Sequence, residues 1–200
     1  MSTAHPLPPA AVVISHEVAD WAAWKTRFDG DEGARRAAGM LGHHVNRGRD
    51  NPNSLSIYFA LSDVEKAKAF AAAPALKEVM AAAGVISAPH AVWMTPVVEH
   101  LVWDRELPAL LITHTVADFA TWLDGYHSAE PVRHAAGIIG HAVNQSVDDP
   151  STAVVYHQAE SFDALQALAG SADLKAAMQK AGVTSAPVFT FVTGGWAKNY

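Results

Sequence analysis

Short apolar runs of strand length alternate along the chain with stretches whose apolar residues recur at helical spacing, and the whole succession occurs twice. Ala11-Val12-Val13-Ile14-Ser15-His16 reads as a strand. Asp20 then stands where an N-cap belongs, and Trp21, Trp24 and Phe28 follow on one helical face until Gly39 closes the region. Residues 41–47 and 55–59 alternate around Asp50-Asn51-Pro52-Asn53, which predicts a strand hairpin. A second helical region opens at Ser62, where Glu65 three residues on completes a capping box, is interrupted at Pro74 and ends at Gly84. Residues 91–95 form a last strand.

The pattern returns at a constant spacing of 98 residues: Asp118 caps Phe119, Trp122 and Tyr126, Gly137 stands for Gly39, and Gly140-His141-Ala142-Val143-Asn144 for Gly42-His43-His44-Val45-Asn46. Roughly 30 of the 87 aligned positions are identical. The expected organisation is a Pro-rich flexible leader 1–10, a first repeat 11–97, a linker 98–108, a second repeat 109–195 and a tail 196–200. Each repeat reads β-α-β-β-α-β, an α+β class with the ferredoxin-like order, in which helices cover one face of a four-stranded antiparallel sheet. The other face needs cover, and a second copy on the same chain supplies it. The expectation is a fused intramolecular pseudo-dimer, with a further homodimer left open.

Composition narrows the chemistry. A net charge of -6 offers no basic field for a phosphate backbone, so no nucleic-acid partner is expected. The absence of cysteine removes disulfides, thiolate nucleophiles and thiolate metal sites. No apolar run reaches the roughly 18 residues of a membrane span, and the first ten residues lack the marks of a signal peptide, so a cytoplasmic protein without membrane partners is expected. No Gly-rich phosphate loop and no Gly-x-Ser-x-Gly elbow occur, so no nucleotide cofactor is expected and nucleophilic catalysis has little support.

The polar and aromatic residues kept in both repeats are the candidates for function. His16/His114 and His43/His141 suit proton transfer, since a neutral imidazole serves as a base near pH 7; the competing reading is a hydrogen-bonded core histidine. Asn46/Asn144 and Tyr58/Tyr156 are suited to hold a substrate oxygen or an oxyanion, or else to pair across the hairpin, and Gly42/Gly140 beside them leave space. Trp24/Trp122 falls on the buried stripe of the first helix, as core or pocket wall. Arg35/Arg133 is placed to neutralise a helix dipole or to pair with Glu32/Glu130. For a metal, His16 and His43 lie on strands about 10 Å apart with a third between them, too far to share one unless the other copy brings its histidines across. Hairpin register sets His141 opposite or diagonal to His157, a weak metal candidate that no carboxylate supports.

The string Val-x-Asp-aromatic-x-x-Trp, Arg35 to Gly39, the Asp-x-Pro turn and Leu76-Lys77-x-x-Met80-x-x-Ala83-Gly84-Val85 resemble the dimeric α/β-barrel superfamily, in its antibiotic-biosynthesis-monooxygenase-like branch. The resemblance spans nearly the whole chain, twice, and its second copy departs at His134 in place of Arg36. It implies a fused barrel with a small, largely apolar pocket in each repeat. The function it implies is a cofactor-independent enzyme of oxygenase, isomerase or cyclase type acting on a hydrophobic, aromatic or enolisable substrate. The alternatives are a non-catalytic binding protein for a small apolar ligand and a haem-binding barrel protein.

Overall fold

The computed structural model describes residues 6–200; residues 1–5 of the expected leader lie outside the described residues. In chain order the elements are β1 (Ala10–Glu17), α1 (Trp21–Gly30), α2 (Glu32–Ala37), β2 (Met40–Gly48), β3 (Ser54–Leu61), α3 (Val64–Ala71), α4 (Pro74–Ala82) and β4 (His90–His100). The succession then repeats as β5 (Leu107–Thr115), α5 (Phe119–Ser128), α6 (Glu130–Ala135), β6 (Ile138–Ser146), β7 (Thr152–Ala159), α7 (Phe162–Gly170), α8 (Ala172–Lys180) and β8 (Val188–Asn199). This is the α+β, tandem ferredoxin-like order. The residues divide into an N-terminal unit, Pro8–Met94 with Gly194–Tyr200, and a C-terminal unit that includes Thr95–Thr193. No helix among the described residues is long and apolar enough to cross a membrane.

Within the N-terminal unit the strand order is β4-β1-β3-β2-β8, with β3 antiparallel to both β1 and β2. In the C-terminal unit it is β8-β5-β7-β6-β4. Asp20 caps α1 by accepting from the Ala23 amide at 2.8 Å, and Asp118 caps α5 through Thr121 at the same distance. The first helical region is two helices, broken at Asp31, whose amide turns back to the Arg27 and Phe28 carbonyls. The cap of α3 is Asp63, accepting from the Lys66 amide at 3.0 Å; the Ser62 hydroxyl instead donates to the Gly39 carbonyl, so the capping box does not form.

The largest departure is the length of the last strands. β4 runs to His100 and β8 to Asn199, and residues 194–200 join the N-terminal unit, where the Tyr200 amide donates to the Leu41 carbonyl at 2.8 Å. Gly42 permits this approach, because a Cβ there would stand 2.8 Å from the Lys198 carbonyl oxygen. The space beside Gly42 is therefore filled by backbone. Beside Gly140 it is filled by the Gln158 side chain, which holds the Val102 amide at 2.8 Å and the Val102 carbonyl at 3.1 Å. Leu55, Ile57, Leu61 and Trp24 anchor one core, Leu110, Val143, Val155 and Leu165 the other.

Gly42→Ala is expected to push β8 off the N-terminal sheet, lowering stability by about 1–3 kcal/mol. Hydrogen exchange should then show lost protection at the Tyr200 amide, and an unchanged exchange pattern would contradict the packing.

Candidate functional site

Alternation along the strands sorts the candidate residues onto two faces. In the N-terminal unit Ile14, His16, Ile57 and Phe59 face the helices and, with Trp24 and Phe28 of α1, line a cavity of about 240 Å³. Its wall is almost wholly apolar. His16, Asp31 and Arg35 are the lining residues with ionisable side chains. Trp24 stacks on Phe28 with ring centroids 4.7 Å apart, and the His16 ring lies 5.9 Å from that of Trp24.

His16 is buried and neither ring nitrogen has a hydrogen-bond partner. Burial alone, disfavouring the charged form, takes its pKa down to about 4. Arg35 is also buried, and it does not pair with Glu32, which is taken by Arg36 and Lys198. Its Nη1 donates to the Phe28 carbonyl at 2.6 Å, closing the end of α1, and its Nε donates to the Tyr200 hydroxyl. The Tyr200 hydroxyl also meets His43 Nδ1, 2.8 Å away. His43 lies beside Phe28 and Trp196, outside the cavity lining, and its pKa falls to about 4 through burial first and the Arg35 charge second.

The second repeat keeps the scaffold with different side chains at key positions. His114 stands against Trp122 at 5.3 Å, again with both nitrogens unpartnered and a pKa of about 4 from burial. Tyr126 replaces Phe28 and His157 replaces Phe59, and the Tyr126 hydroxyl meets His157 Nε2 at 3.0 Å. Fully buried Leu165 takes the position of Ala67. Two concavities of this unit, beside α6 and α7 and beside α8, do not reach His114, Trp122 or His157. His141 is paired directly opposite His157 in the strand register and lies 5.2 Å from the His100 ring. The Tyr126 hydroxyl engages His157 Nε2, and no group of three or more His, Cys, Asp or Glu among the described residues could hold a metal ion.

Asn46 and Tyr58, and in the second repeat Asn144 and Tyr156, lie on the sheet face away from the helices. Asn46 donates to the Ser56 carbonyl at 3.2 Å, and Asn144 to that of Val154 at 3.5 Å. Tyr58 sits opposite Val13 and His44, and Tyr156 packs with Ala109, Ala142 and Val192. The structure thus brings His16 and Trp24 together and separates both from Asn46 and Tyr58. Arg35 and Tyr200, which sequence reasoning placed at a helix end and in a tail, belong to the site's surroundings. The signal available for Arg35 was its repetition as Arg133.

No family model and no curated protein matches the chain. Solved structures match it along nearly its full length. An anthrone oxidase-like protein superposes with a TM-score of 0.68 at 13% identity, over 95% of this chain and 92% of that one. A proposed monooxygenase from Lactobacillus acidophilus gives 0.61 at 10% identity, over 96% of each. A DypB variant from Rhodococcus jostii, in complex with heme, gives 0.54 at 9% identity, over 95% of this chain and 94% of that one. The fold is that of the dimeric α/β barrels. At these identities the likeness concerns the fold, and this chain carries two ferredoxin-like repeats in tandem.

The buried histidines of this barrel protein make its stability depend on pH. His16, His43, His44, His114 and His141 are held at about 4 and His157 at about 3, chiefly by burial. Each is neutral when folded, whereas in the unfolded chain it protonates below about 6.5. Between those values the unfolded state binds more protons, so stability is full above pH 6.5 and is lost as pH falls toward 4. Urea titrations at pH 7.5 and pH 5 should differ by more than about 3 kcal/mol; equal stabilities would refute the assignment.

Proposed function

We propose that the chain is a cofactor-independent enzyme for a small hydrophobic, aromatic or enolisable substrate, bound in the N-terminal cavity with His16 as the proton acceptor. The observation that carries this reading is a buried imidazole with two unpartnered nitrogens in the wall of an apolar cavity. Unpaired buried nitrogens and unfilled core volume each destabilise a fold, by about 1–3 kcal/mol per group for the former. A bound ligand offsets both. Trp24, Phe28, Phe59 and Trp93 offer flat apolar surfaces on which a substrate of one to three rings lies against the imidazole. The first step shared by oxygenase, isomerase and cyclase chemistry is then removal of a proton from an acidic C–H or O–H. Inside an apolar wall the imidazolium and the substrate anion stabilise each other, which compensates for the low basicity of free His16.

A binding protein without turnover is the second reading, favoured by that same low basicity: a histidine held at about 4 is a weak base until a ligand anion is present. A haem is not part of this reading, in which the cavity of about 240 Å³ takes a ligand smaller than a porphyrin. The proposed chemistry is assigned to the first repeat, where His16 is part of the lining of the described cavity. Asn46/Asn144 and Tyr58/Tyr156 are assigned to support of the sheet in this reading, and His43 to the Arg35 hydrogen-bond chain.

Anthrone in air-saturated buffer is a direct test, since loss of its methylene proton leads with dioxygen to anthraquinone and water. Wild-type protein should accelerate the reaction, His16→Phe should lower the rate about 100-fold, and His114→Phe should leave it within about twofold. Full activity in His16→Phe would overturn the role of His16. Quenching of tryptophan fluorescence by anthrone without turnover would select the binding protein.

A further inference from the structure

Arg35 carries a permanent charge into the interior, where a guanidinium is stable only if its donors and its charge are met. Its exposure is 5%. The groups that meet it are all neutral: the Phe28 carbonyl at Nη1, the Tyr200 hydroxyl at Nε, and the Phe28 ring face 3.6 Å from Cζ. Nη2 has no partner. No carboxylate pairs with the group: Glu32 is held by Arg36 and Lys198, and Asp31, the one acid in the cavity lining, forms no ion pair. The same guanidinium-bearing side chain lines the cavity.

We propose that the cavity selects ligands with an apolar ring body and a single anionic oxygen group, a carboxylate or the oxygen of a phenolate or enolate, with Arg35 Nη2 as the donor that recognises it. The inference rests on the cavity being the ligand site and adds the charge of what enters. Phe28 and Tyr200 act as positioning groups, since they fix two of the three guanidinium nitrogens and leave the third unengaged. In the C-terminal unit the same arginine closes α5: Arg133 donates to the Tyr126 carbonyl and lies 3.7 Å over the Tyr126 ring, and its Nε, the nitrogen that in Arg35 meets Tyr200, is buried without a hydrogen-bond partner. Closing the helix end is thus common to both arginines, and the buried, unpartnered Nη2 in a side chain that lines the described cavity belongs to Arg35.

The test is calorimetric titration of the full chain with 2-naphthoate and with its neutral analogue 2-naphthamide. Wild-type protein should bind the acid about tenfold or more tightly than the amide, as a charge-assisted hydrogen bond requires. Arg35→Gln should erase that preference, weakening the acid about tenfold more than the amide. Because Arg35 also closes α1, the gentler Tyr200→Phe provides a second arm: it keeps the charge, frees Nε and should cut the preference several-fold. A preference that survives both substitutions overturns the proposal. Equal wild-type affinities for acid and amide overturn it while leaving the cavity as a neutral apolar site. Failure of both ligands to bind overturns the cavity reading, and this proposal with it.

Discussion

The helix side of the N-terminal unit is organised by the need to hold one buried positive charge without a counter-charge. Arg35 arrives on α2 only because the chain breaks at Asp31, and the break turns the last carbonyls of α1 toward the guanidinium. Phe28 contributes twice, through its carbonyl and through its ring face. Tyr200 continues the hydrogen-bond chain to His43, and the Arg35 charge helps keep that imidazole neutral. Trp196 packs edge-on to Phe28 and His43 and shields the assembly.

The two repeats show how few exchanges alter the interior behind one scaffold. Strand register, the aspartate cap of the first helix and the histidine–tryptophan contact are the same in both. Where the first repeat has Phe28, Phe59 and Ala67, the second has Tyr126 and His157, which meet in a hydrogen bond, and Leu165. A buried hydroxyl and imidazole satisfy each other and gain nothing from a guest, whereas an apolar void loses dispersion contacts on every wall until something enters.

The fold was legible because its determinants are local and occur twice: Asp20 and Asp118 as caps, the Asp-x-Pro turns, and Gly39 and Gly137 at positive φ where helix gives way to strand. Alternation also placed His43 opposite Phe59 and His141 opposite His157. The site was legible in part. His16 and Trp24 emerged from their repetition, but so did Asn46 and Tyr58, since retention after duplication marks structural and ligand-facing positions alike. What stayed hidden depends on long-range packing. Tyr200 reaches Arg35 across 165 positions of sequence, and nothing in the run 196–200 signals that β8 continues past Thr193. Gly42 was readable as room to spare, although the room is taken by the Lys198 backbone.

That the N-terminal unit borrows residues 194–200 has a consequence for biosynthesis. The first half of this chain to leave the ribosome is the last to be completed, because Trp196 and Tyr200 are translated after every residue from 95 to 193. Until they arrive, Leu41 lacks its backbone partner, Arg35 Nε has no acceptor and one side of Phe28 is bare. The nascent repeat therefore holds Arg35 by the Phe28 carbonyl alone, and its set of contacts is complete only after residues 194–200 have been translated.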